Sequence, residues 1–163
     1  MRTEIGATLV ALALLGATPV RAGAASPVQL GVSAEGTVVG LSFGLRPEVA
    51  YRLGGPGTAS RLRASVGALL GPEFFYLPVS FGYRALYREG RLLQPLLGAG
   101  LELQNRMVTD APVASSFGVY LEAGLLFGIG QNLSAGAVAG ADVTFLGGPG
   151  VGLSLKACVN WAL

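Results

Sequence analysis

The sequence contains no histidine, and only one of its 163 residues is a cysteine. Without histidine, the chain lacks the commonest general base, the usual partner of a nucleophilic serine or cysteine, and the commonest metal ligand. A single cysteine cannot build an intrachain disulfide framework. These two shortages exclude the most frequent designs of hydrolase, metalloenzyme and disulfide-stabilised domain.

Charged residues are also scarce. They make up 12% of the chain, whereas a soluble domain carries about 25%. Hydrophobic residues make up 52%, so we expect something other than water to cover much of the surface. Lys156 is the only lysine, and the arginines are scattered, which gives no basic patch for nucleic acid. The 26 glycines argue against a mainly helical protein.

The first residues have the composition of a secretory signal peptide. Arg2 precedes an apolar run over residues 7–15, which weakens towards residue 20, and small residues follow at 22–25. This run is shorter than the ~20 apolar residues that a membrane-spanning helix needs. We therefore predict that residues 1–24 are a cleaved signal peptide and that residues 25–163 form the exported domain. No cysteine lies near the cleavage site, which argues against a lipid anchor.

Most of the exported domain alternates apolar with small or polar residues, which is the period of a β-strand. Turns rich in glycine and proline separate the runs and predict six strands, over residues 61–70, 75–87, 93–103, 117–129, 133–145 and 151–163. The segment before Arg61 must hold two more strands, with the turn near Glu35-Gly36 or near Gly44-Pro47. The pattern therefore predicts an all-β fold, an antiparallel up-and-down barrel of eight strands.

Charged residues avoid the apolar face of these six strands. Each strand carries at least one charge on the opposite face, among small residues, and most of these charges lie near the middle of the strand: Arg63, Arg84, Glu102, Glu122, Asp142 and Lys156. Three are acidic and three are basic. Buried charges must be paired, because an isolated ion in a dry interior costs several kcal/mol. The set predicts an interior ion-pair network with a structural role.

The alternation alone fits both a soluble barrel with its polar face outside and a membrane barrel with its apolar face outside. A soluble exterior is rich in lysine and glutamate, whereas the polar face here is mostly glycine, serine and other small residues. The runs also meet the ~9–11 residues that a tilted membrane-spanning strand needs. We therefore predict a transmembrane β-barrel that turns its apolar face to lipid.

The signal peptide, the alternating hairpins, short turns such as YREGRLL and the closing strand resemble the small eight-stranded outer-membrane barrels of Gram-negative bacteria, the OmpA/OmpX-like family. The resemblance covers the whole exported domain. It implies an outer-membrane location, contact with outer-membrane lipid, and recognition of the last strand by the barrel assembly machinery. Leu155, Val159 and Trp161 occupy the outward register of that strand, although the chain ends in Leu163 where family members have an aromatic residue.

We predict a structural or surface role for a monomer that is not an enzyme, without cofactor, metal or nucleic acid. The interior charges also allow a proton relay, a cation site at the three acids, or glycoside hydrolysis by Glu102 and Glu122. An eight-stranded barrel is just wide enough for its own side chains, which argues against a sugar cleft. The other class of function is binding or transport, by a narrow pore or by a secreted lipocalin-like carrier whose apolar face lies inside.

Overall fold

The computed structural model describes residues 27–38, 41–53, 60–87, 92–108, 111–129, 132–147 and 149–163. The predicted signal peptide lies outside these ranges, as do residues 54–59, 88–91 and 130–131, where three turns were predicted. Within the described ranges, no helix is long and apolar enough to cross a membrane.

Nine β-segments form one closed antiparallel sheet: β1 (Val28–Thr37), β2 (Phe43–Arg52), β3 (Ser60–Val66), β4 (Ala68–Leu70), β5 (Phe74–Leu86), β6 (Leu93–Val108), β7 (Ala114–Ile129), β8 (Leu133–Leu146) and β9 (Gly150–Ala162). Segments that follow one another pair, except that β3 and β4 do not pair with each other, and β9 pairs with β1 to close the wall. Both β3 and β4 lie between β2 and β5, separated from each other only by Gly67, so they form one strand. The predicted eight-stranded antiparallel barrel is confirmed.

The interruption at Gly67 coincides with a proline in the neighbouring strand. The pairing of β2 with β3 ends at Glu48 opposite Ser65, and its pairing with β4 begins at Leu45 opposite Ala68. Pro47 lies in the gap, as expected for a residue that cannot donate a backbone hydrogen bond to a β-ladder. On the other side the wall stays continuous, because Gly67 N donates to the carbonyl of Pro78 at 2.7 Å.

The start of β1 and the end of β9 lie at the same end of the barrel, which we call the terminal end, because the number of strands is even. The opposite end, the distal end, carries the turns at residues 38–42, 71–73, 109–113 and 147–149. Both turn positions predicted for the first hairpin are wrong, since Glu35-Gly36 and Gly44-Pro47 lie within the paired strands β1 and β2. Glycine misled the prediction here because a narrow barrel uses it along its strands as well as in its turns.

Side chains alternate across the wall, as the sequence predicts. Large apolar residues such as Phe81, Leu121 and Leu155 face outward and are more than half exposed. The charged residues of the described strands all have the inward register: Glu35, Arg46, Glu48, Arg52, Arg61, Arg63, Arg84, Glu102, Arg106, Glu122, Asp142 and Lys156. Ten of the twelve are buried in the interior, Asp142 is half-buried, and Arg106 is exposed near the distal end. The middle of the outer wall is therefore apolar.

Outward aromatic residues mark both edges of this apolar surface. Phe43, Phe75, Phe117 and Phe145 lie near the distal end, and the rings of Phe117 and Phe145 meet edge to face at 5.5 Å. Tyrosine and tryptophan lie near the terminal end, at Tyr51, Tyr83, Tyr87 and Trp161. Aromatic girdles on both sides of an apolar band are typical of transmembrane β-barrels.

One interior contact requires glycine on two neighbouring strands. Gly82 of β5 pairs with Gly100 of β6, and Gly100 also pairs with Tyr120 of β7. A Cβ atom on Gly100 would lie 2.6 Å from the Cα of Gly82 and 2.7 Å from the Cε1 of Tyr120. The ring of Tyr120 can therefore lie over Gly82 and Gly100, on the inner side of the sheet, only because neither glycine has a side chain.

Replacing Gly100 with alanine is expected to lower the free energy of unfolding by about 1–3 kcal/mol, because the added methyl group overpacks this contact. Urea unfolding of the barrel in detergent micelles, followed by circular dichroism, measures the change. Gly36→Ala is the matched control, since the nearest atom to a Cβ there is the carbonyl oxygen of Ser42, at 4.0 Å. Equal losses for the two variants would contradict the explanation.

Candidate functional site

The middle of the barrel contains a connected set of ion pairs, which we call the interior network. Its members are Glu35, Arg46, Glu48, Arg63, Arg84, Glu102, Glu122 and Lys156. They are only 1–8% exposed. Since four members are acids and four are bases, the network is neutral as a whole.

Four members form an alternating ring of two carboxylates and two guanidinium groups. Arg84 lies 2.6 Å from Glu48 and 2.9 Å from Glu122. Arg63 lies 2.7 Å from Glu48 and 3.3 Å from Glu122. The four side chains come from β2, β3, β5 and β7, so the ring connects opposite walls of the barrel.

The rest of the network lies on the distal side of this ring. Arg46 of β2 contacts Glu35 of β1 and Glu102 of β6, both at 2.7 Å. Lys156 of β9 lies between the two groups, 3.8 Å from Glu35 and 3.6 Å from Glu122. These two lysine contacts are longer than hydrogen bonds, so the lysine links the groups by charge alone.

Glycines on neighbouring strands make room for the long side chains of the network. Gly98 pairs with Glu122, and a Cβ atom on this glycine would lie 2.8 Å from the Cγ of Glu122. Gly31 pairs with Glu48, and a Cβ atom there would likewise lie 2.8 Å from the Cγ of the glutamate. The abundance of glycine in the sequence therefore follows partly from the crowding of the interior.

The structure brings five of the six predicted residues into the network: Arg63, Arg84, Glu102, Glu122 and Lys156. The sixth, Asp142, joins it through an amide. The Nε2 of Gln104 donates to Asp142 at 3.1 Å and to Glu102 at 2.9 Å. The sequence-based prediction paired acids with bases, and it did not include an amide that bridges two carboxylates.

Sequence reasoning missed Glu35, Arg46 and Glu48, all of which lie on the first two strands. Their boundaries were left open, so the inward register of these residues was not assigned. The signal was present, since Arg46 and Glu48 alternate with apolar residues. Arg52 and Arg61 were missed as well; both are buried nearer the terminal end, where they are cross-strand partners.

A cavity of about 360 Å³, the distal cavity, lies between the network and the distal turns. Glu35, Arg46 and Glu102 of the network line it, as do Gln104 and Asp142. Its wall comes from the distal halves of the strands and includes exposed residues at the rim. Among the described residues, the cavity therefore reaches from the network to the distal rim.

The interior on the terminal side of the network combines an apolar cluster with buried polar side chains such as Arg52, Arg61 and Asn160. Leu86, Leu96, Leu126, Val138 and Cys158 pack together there as a buried cluster, which we call the apolar layer. The thiol of Cys158 donates to the carbonyl of Gly136 at 3.5 Å. The described interior thus has three levels: the distal cavity, the network, and the apolar layer.

This geometry bears on the catalytic and metal-binding alternatives. The side chain of Glu122 has no exposed surface and is surrounded by Arg63, Arg84 and Lys156. It therefore does not form with Glu102 a pair of carboxylates that a sugar can reach. Within the described ranges, no group of three or more histidine, cysteine, aspartate or glutamate side chains is placed to hold a metal ion.

The closed sheet, the apolar outer band between aromatic edges and the paired charges inside define the architecture of a transmembrane β-barrel. Solved structures of such barrels are similar in fold. Neisserial surface protein A (NspA) matches with a TM-score of 0.64 and 16% identity, over 86% of this chain and 100% of that one. A de novo designed transmembrane β-barrel matches at 0.56 and 14% identity, over 88% and 100% of the two chains.

Ail, the attachment invasion locus protein of Yersinia pestis, is similar too, with a TM-score of 0.51 and 13% identity over 83% of this chain and 95% of that one. No protein-family model and no curated protein sequence matches the chain. The protein therefore has the fold of the small outer-membrane barrels. Its narrower assignment to the OmpA/OmpX-like family stays a prediction.

Proposed function

We propose that the protein is an outer-membrane β-barrel of a Gram-negative bacterium, with a structural or surface role and no catalytic activity. The observation that carries this proposal is the separation of charge across the wall. The charged residues of the described strands all have the inward register, and all but Asp142 and Arg106 are buried, while residues such as Phe81, Leu121 and Leu155 face outward. In water this outer belt would be a large exposed apolar surface, whereas in a bilayer it contacts acyl chains.

The orientation in the membrane follows from export and from the even number of strands. A signal peptide over residues 1–24 would deliver the chain to the periplasm, and both ends of the barrel chain would stay on that side as the hairpins insert. The terminal end then faces the periplasm, and the distal end faces the cell surface. The closing strand β9, with Leu155, Val159 and Trp161 facing outward, is the segment offered to the barrel assembly machinery.

The interior network would serve as an internal brace for a monomeric barrel. The ring of Arg63, Arg84, Glu48 and Glu122 crosses the interior and joins strands that are not neighbours in the wall. A closed wall has no free edge that needs a second copy to pair with it. One chain therefore provides both the closed wall and its internal brace, which supports a monomer.

The structure bears differently on the two alternative functions, a carrier and a narrow pore. A carrier with its apolar face inside is wrong for this chain, because the large apolar side chains face outward. A narrow pore is less favoured than a filled barrel, because the apolar layer occupies the interior on the terminal side of the network. Conductance in planar bilayers would reverse that preference.

Fractionation of a Gram-negative host that expresses the full chain tests the location. We expect the protein in the outer-membrane fraction, with an N-terminus near residue 25 and with gel mobility that changes on heating, because a closed barrel resists detergent until it is boiled. Recovery in an aqueous extract without detergent would overturn the proposal. Conductance or hydrolytic activity of the purified barrel would instead overturn only the proposed role.

Cysteine labelling on intact cells tests the orientation. Glu73 is exposed in a distal turn, and Leu92 is exposed beside a terminal-end turn. A membrane-impermeant maleimide is expected to label Glu73→Cys on intact cells and Leu92→Cys only after the outer membrane is permeabilised. The native thiol of Cys158 is buried inside the barrel and gives the background. The reverse labelling pattern would show that the barrel is inserted the other way round.

A further inference from the structure

The distal cavity has no part in the structural role proposed above. Its volume of about 360 Å³ lies within the ~300–1,000 Å³ that is usual for small-molecule sites. Hydroxyl groups of Thr37, Ser116 and Thr144 line it, together with apolar surface from Leu69 and Tyr76. A cavity that combines polar groups with an apolar wall can orient a small ligand and hold it.

The charge around this cavity favours a ligand that carries a positive charge. The interior network is neutral by itself, with Arg46 shared between Glu35 and Glu102 at 2.7 Å each. Asp142 therefore adds a negative charge to the cavity, and its contact with Gln104 does not cancel that charge because the amide is neutral. The further cation in the lining, Arg106, lies against the ring of Phe74, with 4.8 Å between its guanidinium carbon and the ring centroid.

Hydrogen-bond acceptors converge beside Asp142. Its Oδ2 lies 3.1 Å from the amide nitrogen of Gln104, and the Oε1 of Glu102 lies 2.9 Å from the same nitrogen. The hydroxyl of Thr144 is on the same strand, two residues further on, with the same inward register. An ammonium group has three donors to offer to such acceptors, and a short alkyl chain suits the apolar wall at Leu69 and Tyr76.

We propose that the distal cavity is a binding site for a small organic cation with a primary ammonium group, such as a short aliphatic diamine, which pairs with Asp142. An organic cation suits the site better than a metal ion, because the described residues provide no cluster of three metal-ligating side chains. It suits the site better than an anion, because three acidic residues line the cavity, Glu35, Glu102 and Asp142, against the two cations Arg46 and Arg106.

Isothermal titration of the purified barrel in detergent micelles tests this proposal with two probes of equal length, 1,4-diaminobutane and 1,4-butanediol. We expect saturable binding of the diamine that weakens with added salt, and no saturable binding of the diol. Asp142→Asn keeps the size of the side chain and removes its charge, so it is expected to weaken diamine binding at least tenfold. The charge-retaining variant Asp142→Glu is expected to stay within a few fold of the wild type.

Glu73→Gln is the matched control, because it removes an exposed acid of the distal end that does not line the cavity. Its affinity for the diamine is expected to equal that of the wild type. Absence of saturable diamine binding to the wild type, equal binding of the diol, or full binding by Asp142→Asn would each overturn the site. All variants are checked for heat-modifiable gel mobility first, and the assay needs no cells, so its failure is distinct from a failure of outer-membrane location.

Discussion

Replacing Glu122 with glutamine is expected to lower the free energy of unfolding of the barrel by about 3–5 kcal/mol, the usual cost of removing one partner from a buried ion pair. The side chain of Glu122 has no exposed surface, and it lies 2.9 Å from Arg84, 3.3 Å from Arg63 and 3.6 Å from Lys156. Glutamine fills the same volume but carries no charge. The variant would therefore leave three buried cations with too few carboxylates.

Urea unfolding in micelles, followed by circular dichroism and by gel mobility without boiling, measures this loss. Glu73→Gln removes an exposed glutamate from a turn and is expected to leave the unfolding midpoint unchanged. The double variant Arg84→Gln with Glu122→Gln restores neutrality, so it is expected to lose less than the sum of the two single variants. Additive losses, or a loss for Glu122→Gln below the ~1 kcal/mol of a surface ion pair, would contradict the interior network as a brace.

Placing an arginine on the outer surface at Leu121 is expected to cost about 2–4 kcal/mol, the range measured for a cation at the midplane of a bilayer. Leu121 lies at the middle of β7, faces outward and is 62% exposed. The same substitution at Leu146 is the matched comparison, since that residue is 60% exposed but lies at the distal end of β8. There the cost is expected to be ~0–1 kcal/mol, because the charge can reach water.

Unfolding in lipid vesicles, with both variants measured under the same conditions, gives the two values. A depth-dependent cost is specific to a protein that spans a membrane. Equal and small effects for Leu121→Arg and Leu146→Arg would mean that water covers the middle of the barrel. That result would remove the basis of the proposed location.

The strands were predictable where they cross the apolar band, because there one face must be apolar and the other must fit the interior. The prediction was less accurate beyond that band. The strand predicted over residues 93–103 continues to Val108, and the one predicted over residues 117–129 begins at Ala114. Backbone pairing continues there, with Arg106 opposite Ala114, although the alternation of side chains has faded. Backbone hydrogen bonds do not require an apolar face, so they leave no pattern in the sequence at the rim.

The inward position of the six predicted charges was also readable from the sequence, whereas their partners were not. Arg63 meets Glu48, 15 residues earlier, and Glu122, 59 residues later. Which acid meets which base depends on the register between strands and on the reach of side chains across the barrel. Periodicity within one strand gives neither the register nor the reach of the side chains. Because the turn before Arg61 was not placed, three members of the network were missed.

The distal turns have a consequence for how the protein would meet the outside of a cell. None of the four spans more than five residues between the ends of its strands. With the proposed orientation in an outer membrane, turns this short would offer antibodies and phage tail fibres little to bind beneath the sugar chains of lipopolysaccharide. Solutes that diffuse between the sugars would still arrive at the opening, so whole-cell immunisation is expected to raise few antibodies against this protein.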